Sequence, residues 1–160
     1  MNVDIKIERS VEVDAPFKNV VPLLEDLEGT IKRFPKLRKL TRLGDNAYLW
    51  EMSVIGSKVA NIAHEVSYGA KYSIDAKRGE LSWQPIPDRG NATIEGRFKL
   101  LDQGSKTKLI FDVRGKLRDV PVPLMYRLLA PPFIQGKFTR LVDTFLESTR
   151  DAVLNAPKKR

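Results

Sequence analysis

Arg9 and His64 are the residues best suited to chemistry, because each interrupts an alternating apolar pattern. Arg9 lies between Ile7 and Val11 on the apolar side of a predicted strand. There it either offers a cavity cation to a carboxylate or phenolate, or sits at the sheet's rim, solvated or paired with a glutamate. His64 either anchors a ligand's polar group or acts as a base, or is a core histidine with a local hydrogen bond.

Nine aromatic residues fall on strand and helix faces that are predicted to point inward. Tyrosine and tryptophan combine a flat apolar body with a polar tip, which suits a flat, partly oxygenated ligand. The alternative is that these residues form ordinary core. With Arg9 and His64 they complete the candidate ligand-binding set, and they are Tyr48, Trp50, Tyr68, Tyr72, Trp83, Phe98, Phe111, Phe138 and Phe145.

Several kinds of chemistry are not indicated by the sequence. The chain has no cysteine and one histidine, and it lacks a spaced cluster of metal-ligating residues. It also lacks a phosphate loop, a nucleophile elbow and a dinucleotide fingerprint. The sequence therefore predicts no catalytic residue, metal or cofactor. It favours a binding protein over an enzyme, while acid–base chemistry by scattered cavity residues stays open.

The charge balance favours anionic partners. The net charge is +8 and the sequence pI is about 9.8. Segment 31–42 contains no acid and six cations: Lys32, Arg33, Lys36, Arg38, Lys39 and Arg42. This segment either contacts an anionic membrane or RNA, or is a solvated face. The absence of an RNA-recognition signature argues against nucleic acid.

Residues 119–133 contain four prolines around an apolar stretch, so they are predicted to stand apart from the neighbouring strand and helix. A short helical piece there would place four apolar side chains on one face: Leu124, Met125, Leu128 and Leu129. They suit a cavity lid or a surface that enters a membrane. The alternative is a short helix packed against the mouth of the barrel. The hypothesis is that this segment gates the cavity, with segment 31–42 and the basic tail 156–160 drawing the protein to acidic bilayers.

Hydrophobic periodicity predicts the elements that position these residues. Residues 3–13 alternate as a half-buried strand. Asp14 is expected to cap a helix with Pro16 in its first turn, kinked or split at Pro22 and ended by Gly29.

The middle of the chain predicts an antiparallel meander. A short helix over residues 30–34 is expected first. Strands then follow with turns at 44–46, 56–57, 77–79 and 102–105 and a loop at 85–90. After Pro132, apolar residues recur at three and four, which predicts a helix of about 20 residues. The sequence thus predicts a single α+β domain over residues 1–155.

This order resembles the START-like superfamily, also called SRPBCC or helix-grip proteins. Four stretches carry the resemblance: VEVDAPFKNVVPLLED, LSWQPI, IEGRFKLLDQGSKTKLIFDV and FTRLVDTFLESTRDAV. The polyketide cyclase/dehydrase-like and coenzyme Q-binding branches are the most similar. The resemblance implies a curved antiparallel sheet of about seven strands wrapped around a long C-terminal helix. It also implies two short helices after the first strand and a cavity between sheet and helix.

Members of that superfamily carry lipids, sterols, quinones or polyketides, and some catalyse cyclisation or hydrolysis, so fold alone does not select a function. The first hypothesis is binding or transport of a hydrophobic small molecule. The second is a cyclase- or hydrolase-like enzyme for an aromatic or polyketide-like substrate. The third is a protein or RNA interaction module using the basic surface. The sequence shows no signal peptide or membrane span, which predicts a cytoplasmic location.

Overall fold

A curved antiparallel sheet and one long helix dominate the computed structural model, which describes residues 1–53, 55–57 and 62–155. The elements are β1 (Val3–Val13), α1 (Phe17–Glu25), α2 (Leu27–Lys32), β2 (Leu37–Gly44), β3 (Ala47–Met52), β4 (Ile55–Ser57), β5 (Ile62–His64), β6 (Ser67–Asp75), β7 (Glu80–Gly90), β8 (Ala92–Asp102), β9 (Thr107–Leu117), a 3₁₀ turn (Leu124–Tyr126) and α3 (Ala130–Leu154). Seven strands form one sheet in the order β1-β9-β8-β7-β6-β3-β2, while β4 pairs with β5. The predicted helix-grip architecture is confirmed.

The first strand follows its alternating sequence. Val3, Ile5 and Ile7 are buried, and the residues between them are exposed. The strand pairs with β9 without a register shift, from Val3 opposite Leu117 to Val13 opposite Thr107. This continuous pairing keeps Arg9 on the same face as Ile7 and Val13, but Arg9 is exposed there and Val11 is only partly buried.

The passage from β1 into the helices differs in detail from the prediction. Pro16, not Asp14, is the N-cap of α1, and α1 continues through Pro22. The first helix ends only after Glu25, because the Pro22 carbonyl still accepts a hydrogen bond, from the N–H of Asp26. The Asp26 side chain then accepts the N–H of Gly29 and caps α2, so Gly29 lies inside that second helix rather than ending the first.

Three other boundaries were placed wrongly. The short helix expected over residues 30–34 is α2, which begins at Leu27. Residues 56–57, expected to turn, lie in β4. Residues 85–90, expected to be a loop, extend β7 because they pair with β6, where Pro85 stands opposite Ala70.

The last helix begins earlier than predicted. It starts at Ala130 because Pro131 and Pro132 occupy its first turn, where a missing N–H breaks no intrahelical bond. Ala60, which falls within the predicted meander, and the basic tail 156–160 lie outside the described residues.

The strand register defines two ends of the sheet. We call one the Leu117 end; it brings together Val3, Leu37, Met52, Ser67, Gly90, Ala92 and Leu117. We call the other the Thr107 end; it brings together Val13, Ala47, Asp75, Glu80, Asp102 and Thr107. The segment that links β9 to α3 therefore leaves the sheet at the Leu117 end.

Helix α3 lies across the inner face of the sheet and is fastened to the edge strand β1. The Gln135 side chain donates to the Lys6 carbonyl at 2.7 Å and accepts from the Lys6 N–H at 3.0 Å. These bonds satisfy backbone groups that an edge strand otherwise leaves open. Among the described residues, no helix is long and apolar enough to cross a membrane.

Candidate functional site: an aromatic cavity between the sheet and the C-terminal helix

An apolar cavity lies between the inner face of the sheet and α3. Its volume is about 40 Å³, whereas small-molecule sites typically measure ~300–1,000 Å³. Side chains therefore fill most of the space that the helix-grip resemblance implied. Eight of the predicted aromatic residues line it: Trp50, Tyr68, Tyr72, Trp83, Phe98, Phe111, Phe138 and Phe145.

The aromatic wall contains a buried polar pair. The Trp50 indole N–H donates to the Tyr72 hydroxyl at 2.8 Å, and this bond joins β3 to β6. The Trp50 ring also stacks on Tyr68, with ring centroids 5.2 Å apart and planes 22° apart. The rings of Trp50 and Tyr72 are thus buried while the indole N–H keeps a hydrogen-bond partner.

The cavity wall is suited to binding neutral groups rather than to proton transfer. Burial raises the pKa of the Tyr68 and Tyr72 hydroxyls well above their ordinary value, so both stay protonated at neutral pH. The described residues that line the cavity include no carboxylate, lysine, arginine or histidine. In the same part of the chain, no cluster of acidic or imidazole side chains is arranged to hold a metal ion.

Phe34 closes this cavity and was missed as a site residue. It lies in the connection between α2 and β2, and its ring centroid is 5.1 Å from that of Phe145 and 5.5 Å from that of Trp50. Its side chain lines the cavity and is also partly exposed, so it lies at the boundary between the cavity and solvent. The sequence did carry a signal for Phe34: Ile31 is an apolar residue one helical turn earlier in an otherwise basic stretch. Ile31 also lines the cavity.

Solved structures with the same layout match almost the whole chain. The aromatase/cyclase Zhui from Streptomyces sp. R1128 superposes with a TM-score of 0.67 at 14% identity, covering 94% of each chain. Norcoclaurine synthase from Thalictrum flavum gives 0.65 at 15% identity, covering 99% of this chain and 91% of that one. A START superfamily protein from Mycobacterium smegmatis gives 0.64 at 14%, covering 93% and 97%.

The chain has a START-like fold. This identification rests on structure, since no family model and no curated protein matches the sequence. At such identities the likeness establishes the fold alone.

Arg9 lies outside the cavity. Its guanidinium donates to both carboxylate oxygens of Asp143 on α3, at 2.7 and 2.9 Å, and its side chain is 49% exposed. The carboxylate raises the pKa of Arg9. The cation thus pairs at the rim of the sheet, with an aspartate instead of the glutamate considered above. It does not occupy the cavity position considered for it.

His64 is buried near the Leu117 end and has a local partner. The Asn91 side-chain oxygen accepts from Ser67 N–H at 2.9 Å, which leaves the Asn91 amide nitrogen as a donor. That nitrogen is 3.3 Å from His64 Nε2 and 2.7 Å from the Glu65 carbonyl. The His64 nitrogen therefore accepts, and the ring is neutral. Burial lowers the pKa of His64, which is not among the residues lining the cavity.

Two further candidates lie beside the cavity instead of on its wall. Tyr48 is buried, but its hydroxyl donates to the Glu28 carboxylate at 3.0 Å and it does not line the cavity. Arg33, expected on the basic surface, is drawn inward. It donates to the Thr149 and Thr30 hydroxyls, each at 3.1 Å, and burial lowers its pKa. Arg33 therefore connects α2 to α3.

The remaining cations of segment 31–42 do not form one unpaired surface. Three lie within ion-pair distance of an acid outside the segment: Lys32 of Glu28, Arg38 of Glu51 and Arg42 of Asp45. Lys36 and Lys39 are exposed. Because Leu37 pairs with Met52, both lysines lie near the Leu117 end of the sheet.

Four apolar side chains of the proline-rich segment face solvent. We call them the apolar patch: Leu124, Met125, Leu128 and Leu129. Ahead of α3 the segment forms only a 3₁₀ turn, Leu124–Tyr126, in which Tyr126 packs against the core, and residues 130–133 begin α3 itself. The patch does not line the cavity between the sheet and α3.

Proposed function

We propose that this protein binds a hydrophobic small molecule between the sheet and α3. The observation that carries the proposal is the position of Phe34. Its partly exposed ring reaches from a connecting segment into a wall made of rings on the sheet and on α3. A flat apolar ligand can take the place of that ring without unpairing any strand.

The side chains of the cavity wall indicate which class of ligand it would bind. Burying apolar surface contributes roughly 25 cal/mol per Å², so an aromatic wall favours a flat apolar body. The neutral hydroxyls of Tyr68 and Tyr72 offer hydrogen bonds to an oxygen. We therefore expect a neutral, partly oxygenated compound such as a quinone, a polyketide-like molecule or a lipid.

The structural neighbours are consistent with the flat aromatic part of this class. One is described as an aromatase/cyclase, and another as norcoclaurine synthase in complex with dopamine and hydroxybenzaldehyde. We favour binding over catalysis for this chain, because acid–base catalysis needs a group that titrates near the working pH. The described residues lining its cavity supply only tyrosines with raised pKa values.

The test is direct because two cavity-lining residues are tryptophans, Trp50 and Trp83. Protein purified from its own host is examined by native mass spectrometry for a retained lipophilic compound. The delipidated protein is then titrated with a neutral quinone, with an acidic analogue as control. We expect one-to-one quenching of tryptophan fluorescence and weaker binding of the acidic analogue. Unchanged fluorescence with every apolar probe, together with no retained compound, would overturn the proposal.

A further inference from the structure

Hydrogen bonds and packing hold the segment between β9 and α3 against the domain, so its apolar side chains are exposed in a defined backbone conformation. Val120 is buried and its N–H donates to the Met1 carbonyl at 2.9 Å. Val122 and Tyr126 pack against the core, and the Leu129 N–H donates to the Tyr126 carbonyl at 3.0 Å. The backbone of this segment therefore directs Val120, Val122 and Tyr126 toward the core and its other apolar side chains toward solvent.

The outward side chains form a concentrated apolar surface. The exposed fractions are 80% for Leu124, 78% for Met125, 92% for Leu128 and 63% for Leu129. Of the six large apolar side chains exposed in the described part of the chain, these four lie within six consecutive residues. Singly exposed leucines are ordinary, whereas a contiguous apolar group indicates a binding surface.

Cations lie within this segment and toward the same end of the sheet. Between Asp119 and Asp143 the sequence contains Arg127, Lys137 and Arg140 and no acidic residue. Arg127 is exposed within the patch itself, and the exposed Lys36 and Lys39 lie toward the same end of the sheet. An apolar group with an exposed cation among its residues is complementary to a surface with an apolar interior and anionic head groups.

The composition of the patch favours a lipid over a protein partner. Aromatic residues are enriched among the strongest contacts of protein interfaces, and leucine is under-represented there. The four apolar side chains of the patch are leucine and methionine, which can enter the boundary between head groups and acyl chains. Its one nearby tyrosine, Tyr126, is turned toward the core.

We infer that the apolar patch docks this protein on the surface of an anionic lipid bilayer. The patch enters the boundary between head groups and acyl chains, while Arg127 and the neighbouring lysines contact the anionic head groups. The protein lies on the membrane and does not span it. This docking does not depend on whether the cavity binds a ligand.

Flotation of the full chain with vesicles tests the inference. The vesicles contain phosphatidylcholine alone or phosphatidylcholine with phosphatidylserine, at low and high salt. Leu128→Ser/Leu129→Ser removes apolar area from the patch. Its matched control, Leu101→Ser/Leu154→Ser, changes two exposed leucines elsewhere, 41% and 52% exposed. All four positions are exposed, so the unfolding midpoints should stay close to that of the wild type.

A second pair of variants tests the charge. Arg127→Glu reverses a cation in the patch, and Lys77→Glu reverses an exposed cation in the turn between β6 and β7 at the Thr107 end. We expect wild-type binding that rises with phosphatidylserine and falls with salt. Leu128→Ser/Leu129→Ser and Arg127→Glu should each lower the vesicle partition coefficient at least about tenfold. Both control variants should bind as the wild type does.

Three results would overturn the inference. The first is a wild-type chain that floats with neither kind of vesicle. The second is equal loss of binding in the patch variants and in their controls. The third is a wild-type dimer that Leu128→Ser/Leu129→Ser converts to a monomer without any change in flotation, because the patch would then bind a second copy of the chain.

Discussion

Gly96 on β8 lies directly against the indole of Trp83 on β7. A Cβ built on Gly96 would stand 2.6 Å from Trp83 Cζ2 and 2.6 Å from the Asp112 carbonyl oxygen. The pairing of β7 with β8 ends at these two residues. The missing side chain therefore lets the indole lie over the neighbouring strand, where it forms part of the cavity wall.

Gly96→Ala should therefore lower stability and move Trp83. The new methyl group meets a backbone oxygen that cannot turn aside, so we expect a loss of about 1–3 kcal/mol in the free energy of unfolding by urea. Gly136→Ala is the control. Its Cβ would meet nothing within 4 Å on an exposed part of α3, so it should be neutral or stabilise by up to about 1 kcal/mol. Equal free energies for the two variants would contradict this account.

Phe34→Ala should create a binding site for a small aromatic molecule. Removing the ring enlarges an apolar cavity of about 40 Å³, and engineered apolar cavities bind benzene. We expect about 2–3 kcal/mol of lost stability, less than for a fully buried phenylalanine, with benzene raising the unfolding midpoint of the variant.

Phe17→Ala is the matched control for that experiment. Phe17 packs its ring against Gly79 at the Thr107 end and does not line the cavity. This variant should lose stability without gaining any response to benzene. A benzene response of the same size in both variants would mean that Phe34 does not close the cavity.

The fold could be predicted because its signals are local. Alternation over residues 3–13 and the three-and-four spacing after Pro132 each depend on neighbours in sequence, and both elements were found. The stretch 85–90 was missed because its proline-rich sequence matches a loop. Only its pairing with β6, which sequence spacing does not reveal, makes it a strand.

The candidate site was predicted only in part, for a related reason. Inward-facing aromatics are marked by strand periodicity, and eight of the nine line the cavity. The position of Arg9 outside the cavity depends on its ion pair with Asp143, which is 134 residues away in sequence. Asp143 is an ordinary polar residue of an amphipathic helix, so the sequence does not mark it as a partner for Arg9. The inward turn of Arg33 likewise depends on Thr149, which is distant in sequence.

Replacing Arg9 should affect neither the cavity nor, to any large extent, the stability. Both side chains of its ion pair with Asp143 are exposed to solvent, and water weakens the attraction in such pairs. We expect Arg9→Met to leave the urea midpoint close to that of the wild type and to bind neutral and acidic ligands with unchanged affinity. Selective loss of the acidic ligand would show that Arg9 reaches a bound ligand after all.

Stability should fall with mild acid because of His64. Burial lowers the pKa of His64 below its ordinary value of 6.5, so the unfolded chain binds the proton more readily than the folded one. Where the unfolded state binds more protons, stability rises with pH. The stabilisation is therefore complete above pH 6.5 and is lost as pH falls toward the folded pKa, by at most about 1.4 kcal/mol per pH unit.

His64→Gln tests this pH dependence, because glutamine can accept from Asn91 without titrating. His64 is the one histidine in the chain, so no other histidine titrates in the same window. Urea unfolding is measured for both proteins in steps from pH 7.5 to pH 5.0, values that bracket the ordinary histidine pKa of about 6.5. We expect the wild type to lose stability more steeply than the variant as pH falls. Superimposable pH profiles would show that His64 titrates alike in the folded and unfolded chains.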